Sequence, residues 1–168
     1  MSQLALKEYA RSLAAAASPA IASSCQSFGN GCDCFRQVPK FEKLGSRVAI
    51  VVGPLTRTEH RQTVPRGGGQ KQAVYEIKLW VHAAVKDEFQ GGDDFDLALE
   101  ILQNAFRTAA VPIQINDPLT NAASALLVIG EEMHLVQEEP GHLAQGPGGL
   151  VHYFAELLVA ATEILPGV

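Results

Sequence analysis

The 168-residue sequence is poor in the features that most quickly identify a protein. No apolar run approaches the roughly 20 residues that a helix needs to cross a bilayer, so no membrane helix is expected. Charged residues make up 18% and hydrophobic ones 47%, too little charge and too much apolar surface for a disordered chain. Cysteine occurs three times, at Cys25, Cys32 and Cys34. An odd number cannot make a fully paired disulfide framework within one chain, and a reducing compartment is the simpler expectation. Basic residues are outnumbered, 13 Lys and Arg against 18 Asp and Glu, for a net charge of -5. A protein that binds nucleic acid with its whole surface should be basic, so any contact with DNA is expected to be local. Residues 13–17 are apolar and small residues follow, but Glu8 and Arg11 interrupt the region. A secretory signal is not expected.

Catalytic signatures are missing as well. The histidines, His60, His82, His134, His142 and His152, form no HExxH-like pair. His152 and Glu156 share a face on either a strand or a helix, which suits a simple hydrogen-bonded pair better than a general base. Gly67, Gly68 and Gly69 join two strand-like segments, whereas a phosphate loop leads into a helix N-terminus. Ser46 and Ser124 sit in no nucleophile elbow. Cys25, Cys32 and Cys34 are spaced C-x6-C-x-C, without a fourth cysteine or a nearby histidine. Tetrahedral zinc wants four ligands, commonly in CxxC-like pairs. A flexible loop of small residues is the plainer reading, with a metal-binding module or small enzyme using these cysteines as the alternative. No catalytic residue, metal or cofactor is expected.

What the sequence does contain is periodicity. Tyr75, Ile77, Leu79 and Val81 recur every second residue, with Glu76, Lys78 and His82 between them. That period puts one set on a core face and the other toward solvent or a partner. Phe95, Ala98, Leu99, Leu102, Ala105 and Phe106 follow at spacings of three and four, an apolar helical stripe over about 94–109. Asp93 or Asp94 is expected to cap it, and Pro112 to stop it. Residues 3–17 have a weaker stripe and many alanines, and the helix is expected to end before Pro19. Residues 47–52 read as a strand closed by Gly53-Pro54, and 55–64 as a second. Residues 65–69 read as a turn, 111–116 as extended or loop, and 117–121 as a turn. A short strand is expected near 126–129, with Gly130 as a bulge before Met133 and Leu135. Residues 151–164 alternate as a strand but also fit a helical stripe; the β-branched and aromatic opening favours a strand. The expected fold is α+β: one mixed, mainly antiparallel sheet of about five strands with two helices packed on it. It forms a single domain over 1–168, with long loops at about 22–45 and 137–149.

Within this acidic chain Arg57, Arg61, Arg66 and Lys71 concentrate positive charge on one hairpin, opposed only by Glu59. The hairpin is a solvated one, or it faces a polyanion, or it pairs with acidic segments of a neighbouring subunit. The candidate acidic contacts are Asp87, Glu88, Asp93, Glu131 and Glu132.

The segment Lys71-Gln72-Ala73-Val74-Tyr75-Glu76-Ile77-Lys78-Leu79-Trp80-Val81 runs into an acidic turn and then Phe95-Asp96-Leu97-Ala98-Leu99-Glu100-Ile101-Leu102. Asp117-Pro118, Ile129-Gly130-Glu131 and Val151-His152-Tyr153-Phe154-Ala155 come later. Over about residues 45–164 this layout resembles the tail terminator (tail completion) proteins of long-tailed bacteriophages. The resemblance implies a non-enzymatic structural protein that assembles as a hexameric ring on the end of a tail tube. There it stops tube polymerisation and forms the head–tail joining surface. The implied partners are further copies of the chain, the tail tube protein and head–tail connector proteins, with non-specific contact to DNA in the channel and no membrane. The implied location is the tail–neck region of the virion, after assembly in the host cytoplasm. A head–tail connector protein of the same neck is the alternative. By that analogy, and on charge alone, Arg57, Arg61, Arg66 and Lys71 are candidates for the lumen or for subunit contacts.

Overall fold

A computed structural model describes residues 3–40, 45–62, 70–86, 88–109, 127–139 and 149–165. The central element is strand β3, Gln70–Val85. It pairs antiparallel with β2, Val48–Gln62, on one side and with β5, Val151–Leu165, on the other. Strand β4, Leu127–Glu139, pairs antiparallel with the far side of β5. A four-residue strand β1, Cys32–Phe35, adds parallel to the start of β2. The sheet order is β1-β2-β3-β5-β4: four long antiparallel strands and one short parallel edge. The fold is therefore α+β with a mixed, mainly antiparallel sheet, as the periodicities predict.

Helix α1, Gln3–Ser24, and helix α2, Glu88–Thr108, lie against one face of this sheet. That face carries Tyr75, Ile77, Leu79 and Val81 from β3 and Ala155, Leu157 and Val159 from β5, all buried. The predicted stripe of α2 meets them: Phe95, Ala98, Leu99, Leu102 and Phe106 are all buried. Phe95 stacks on Tyr153 with ring centroids 5.3 Å apart. Each large apolar side chain in this layer contributes about 1.5–3 kcal/mol of transfer free energy, before the loss of chain entropy. Residues 151–164 are the strand that the alternation favours, because β3 pairs with it along its whole length and β4 with Phe154–Glu163 on its other side.

Several boundaries differ from the sequence expectation. Helix α1 passes through Pro19 and ends at Ser24. Pro19 and Ala15, whose carbonyl loses the helical donor, are both exposed, so water can take the bond. Burial of Ala17 and Ile21 on the opposite side keeps the helix going. The expected loop at 22–45 therefore shrinks, since it holds the last turn of α1 and then β1. Backbone bonds from Asn30 N to Ser46 O (2.7 Å) and Val48 N to Gly31 O (2.9 Å) set β1 beside β2.

Residues 47–52 and 55–64 were expected as two strands, but 48–62 form one. Gly53-Pro54 makes a bulge: β2 advances from Val52 to Leu55 while β3 moves back only from Leu79 to Ile77. A Cβ on Gly53 would lie 3.3 Å from the Trp80 ring, so glycine lets that indole lie close over the strand. Strand β4 is longer than expected and runs to Glu139, the start of the expected second loop; residues 140–148 lie outside the described residues. Its ladder does shift register between Ile129 and Met133, where a bulge at Gly130 was anticipated. Helix α2 begins six residues before the expected start. Asp93 and Asp94 are inside it instead of capping it, and Asp94 Oδ2 accepts a hydrogen bond from Ser27 N at 2.7 Å. The expected turn at 65–69 and the segment 111–121 lie outside the described residues.

The early start of α2 depends on Gly91. A Cβ there would sit 2.5 Å from Cγ1 of Val85, and a β-branched side chain at the end of a strand has little room to turn away. Gly91→Ala should lower stability by about 1 kcal/mol, because overpacking outweighs the better helix propensity of alanine. Thermal unfolding should show a melting point about 3 °C lower. The same change in a Val85→Ala background should not destabilise, and an equal loss in both backgrounds would rule out this contact as the cause.

Candidate functional site

The hairpin of β2 and β3 holds most of the candidate basic residues. Arg57 pairs across the ladder with Tyr75, and Arg61 with Lys71. The Arg57 guanidinium lies 5.7 Å from the centroid of the Tyr75 ring, and its Nη2 is 2.6 Å from Glu59 Oε1. Behind it the Tyr75 hydroxyl donates to Glu163 Oε2 at 2.6 Å, with both side chains buried. Burial, and then the facing Glu163 carboxylate, push the Tyr75 hydroxyl far above its ordinary value. The base of the hairpin is thus a closed polar layer of guanidinium, ring, hydroxyl and carboxylate. Arg57 and Glu59, with side chains 31% and 41% exposed, keep access to solvent at its outer side.

The acidic candidates fall elsewhere. Glu88 opens α2 and Asp93 is exposed one turn later, at the end of the sheet where β3 finishes. From Lys71 to Val85 is about 45 Å at ~3.3 Å per strand residue, so these acids do not meet the hairpin within one chain. Glu131 and Glu132 lie in the bulge of β4, at the opposite edge of the sheet from β2. Arg66 and Asp87 lie outside the described residues.

The sheet face away from the helices carries a second polar cluster that sequence reasoning did not assemble. Glu156 on β5 accepts from Lys78 Nζ at 2.7 Å and from Trp80 Nε1 at 2.8 Å, both on β3. These two hydrogen bonds hold the Glu156 carboxyl below its usual range. The alternation already places Lys78 on this face, but the pairing of Glu156 with Trp80 follows from the β3–β5 register, in which they are direct partners. The expected partner of Glu156, His152, sits toward the end of the same face beside His82. His82 packs on Phe154 at 4.5 Å between ring centroids, and burial lowers the pKa of both histidines. Strand geometry explains the change of partner: Trp80 directly opposite Glu156 and Lys78 diagonal to it both reach the carboxylate, whereas His152 is four residues along its own strand.

The cysteines belong to the helix layer. Cys25 is fully buried in the core, and Cys32 and Cys34 share the face of β1 that packs on α1. Burial pushes the Cys25 and Cys32 thiols up to about 11 and raises Cys34 as well. Thiols in such surroundings stay protonated at neutral pH, and a metal would have to displace those protons. No cluster of three His, Cys, Asp or Glu side chains suited to a metal occurs among the described residues. A cleft of about 730 Å³ lies where β3 ends and α2 begins, lined by Ser27, Asn30, Ser46, Lys86 and Leu150 among others. It holds one cationic group among its described lining and brings no candidate nucleophile next to a base. No protein-family model matches the chain, and no curated protein matches it.

Two measurements test these layers. Glu156→Gln should cost about 1 kcal/mol at pH 7. A depressed carboxylate stabilises the fold above its ordinary pKa of 4.5, and that contribution disappears as pH falls through the folded value. Urea titrations should therefore show the gap between wild type and variant closing below about pH 4.5; a gap that persists in acid would contradict the charged pairing. Tyr75→Phe removes a hydrogen bond to a buried carboxylate and should cost about 1.5–3 kcal/mol. A raised hydroxyl pKa stabilises the fold below its ordinary value of 10.0 and less as pH rises beyond it. The advantage of wild type should therefore shrink in alkaline thermal melts.

Proposed function

We propose that this protein is a non-enzymatic assembly subunit of the tail terminator type: it forms a ring that caps a completed phage tail tube, stops its growth and presents the head–tail joining surface. The observation that carries the reading is the one-sided architecture. Both helices cover the same face of a sheet whose long strands present the Lys78–Glu156–Trp80 cluster on the other. Within the sheet, Thr56–Glu76, Tyr75–Glu163, Lys78–Glu156 and Trp80–Glu156 join neighbouring strands by side-chain hydrogen bonds, which stiffens a wall. The same layout of hairpin, helix and two further strands underlies the likeness to tail terminator proteins over residues 45–164.

On this reading the partners are further copies of the chain, the tail tube protein and the connector, in the neck of the virion. The basic hairpin of Arg57, Arg61, Arg66 and Lys71 serves the tube-facing side or the channel, where modest charge on each subunit adds up around a ring. The test adds purified protein to polymerising tail tubes and examines them by negative-stain microscopy. Rings should appear at tube ends and elongation should stop. Arg61→Glu with Arg66→Glu should weaken tube binding about tenfold at low salt, with less effect at high salt. Bare tubes that keep growing at saturating protein would refute the capping role.

A further inference from the structure

The sheet has two long edges that no described strand covers. Strand β1 pairs only with Val48–Val51, so no described strand pairs with the outer side of residues 55–62 of β2. Strand β4 is the other edge for its full 13 residues. Unpaired strand edges of this length invite pairing with another chain, and monomeric proteins normally cover or blunt them. The two edges here are opposite in charge. Residues 55–62 hold Arg57 and Arg61 against Glu59, whereas β4 holds Glu131, Glu132, Glu138 and Glu139 with no lysine or arginine.

The ladder registers also bring the charges to one level. Arg57 is opposite Tyr75, Tyr75 opposite Ala161, and Ala161 opposite Ile129. Leu55 is opposite Ile77, Ile77 opposite Val159, and Val159 opposite Met133. The bulge with Glu131 and Glu132 therefore stands on one edge at the height of Leu55 to Arg57 on the other. Three antiparallel steps separate the edges, so β4 runs opposite to β2. A copy rotated about an axis along the strands would bring its β4 beside β2 in the same antiparallel sense as the rest of the sheet.

We infer that copies of this chain join edge to edge, with residues 55–62 of one subunit pairing with β4 of the next and Arg57 meeting the Glu131–Glu132 bulge. This rests on the proposed ring and names its subunit contact. The contact is heterologous, as a closed ring requires. Backbone bonds supply adhesion, and charge selects the partner edge. Arg57 has five N–H donors, enough to keep Glu59 while engaging a carboxylate of the neighbour. The bulges on both strands discourage edges of other register from joining.

The test is a charge swap on the full-length chain, read by light scattering and native mass spectrometry. Arg57→Glu makes residues 55–62 acidic like the Glu131–Glu132 bulge, and Glu131→Lys with Glu132→Lys makes that bulge basic like residues 55–62. Each variant alone should lose the ring peak, and a 1:1 mixture should recover rings with an even number of subunits. Circular dichroism melts identify a variant that fails to fold. Independently of the variants, amide hydrogen exchange on wild type should show 55–62 and 127–133 protected in the ring and exchanging faster once it is diluted apart. Rings in which neither segment gains protection would overturn edge pairing and leave the ring reading standing. A wild-type chain that stays monomeric at every concentration would also overturn it, while the tail-tube assay judges capping separately. Protection that appears only when tail tubes are added would assign the edge to the tube protein, against pairing between copies.

Discussion

The structure depends on the alternation along β3. This strand has a full-length neighbour on each side, so every backbone amide along its shared length can bond within the sheet, and only the side chains are left to choose a face. Tyr75, Ile77, Leu79 and Val81 choose the helices. A slip of one residue would exchange that set for Glu76, Lys78, Trp80 and His82 beneath α2, which the apolar stripe of Phe95, Leu99, Leu102 and Phe106 could not accommodate. Register and helix docking thus specify each other.

Polar side chains reinforce the same choice from both faces. On the helix side, Tyr75 and Glu163 lie on neighbouring strands and meet in a buried hydrogen bond. On the other side, Lys78 and Trp80 hold Glu156 across the same β3–β5 ladder. Each pairing is made only in the native register, and a buried carboxylate left without its donors would cost more than the bond itself contributes. The bulges at Gly53 and Gly130 bend the outer strands without disturbing the central ladder. This leaves β2 and β4 as long, oppositely charged edges, the feature on which the inferred subunit contact rests.

Much of the fold was legible in the sequence wherever one residue period persisted. The strand at 70–85 and the stripe of α2 are unmistakable because burial on one face imposes a period of two or 3.6 over many residues. The strand at 151–165 fitted both periods, and its β-branched opening favoured the form the structure adopts. Boundaries were read less well, since local breakers misled: Pro19 lies inside a helix, Gly53-Pro54 inside a strand, and Asp93 and Asp94 inside another helix. In each case burial of the flanking residues outweighs a local preference worth only a few kcal/mol. The short strand at Cys32–Phe35 carries too few residues to show a period at all.

The sequence alone determined the class of the fold, the apolar faces of β3 and α2, and the concentration of basic residues between 57 and 71. These follow from composition and from spacing along the chain. Only the tertiary structure decided that Cys25, Cys32 and Cys34 are desolvated thiols, that Glu156 serves Trp80 and Lys78, and that Glu131 and Glu132 stand level with Arg57 across four strands. The reason is physical: such relations are set by strand order and register, which are properties of residues far apart in the chain, and no local spacing encodes them.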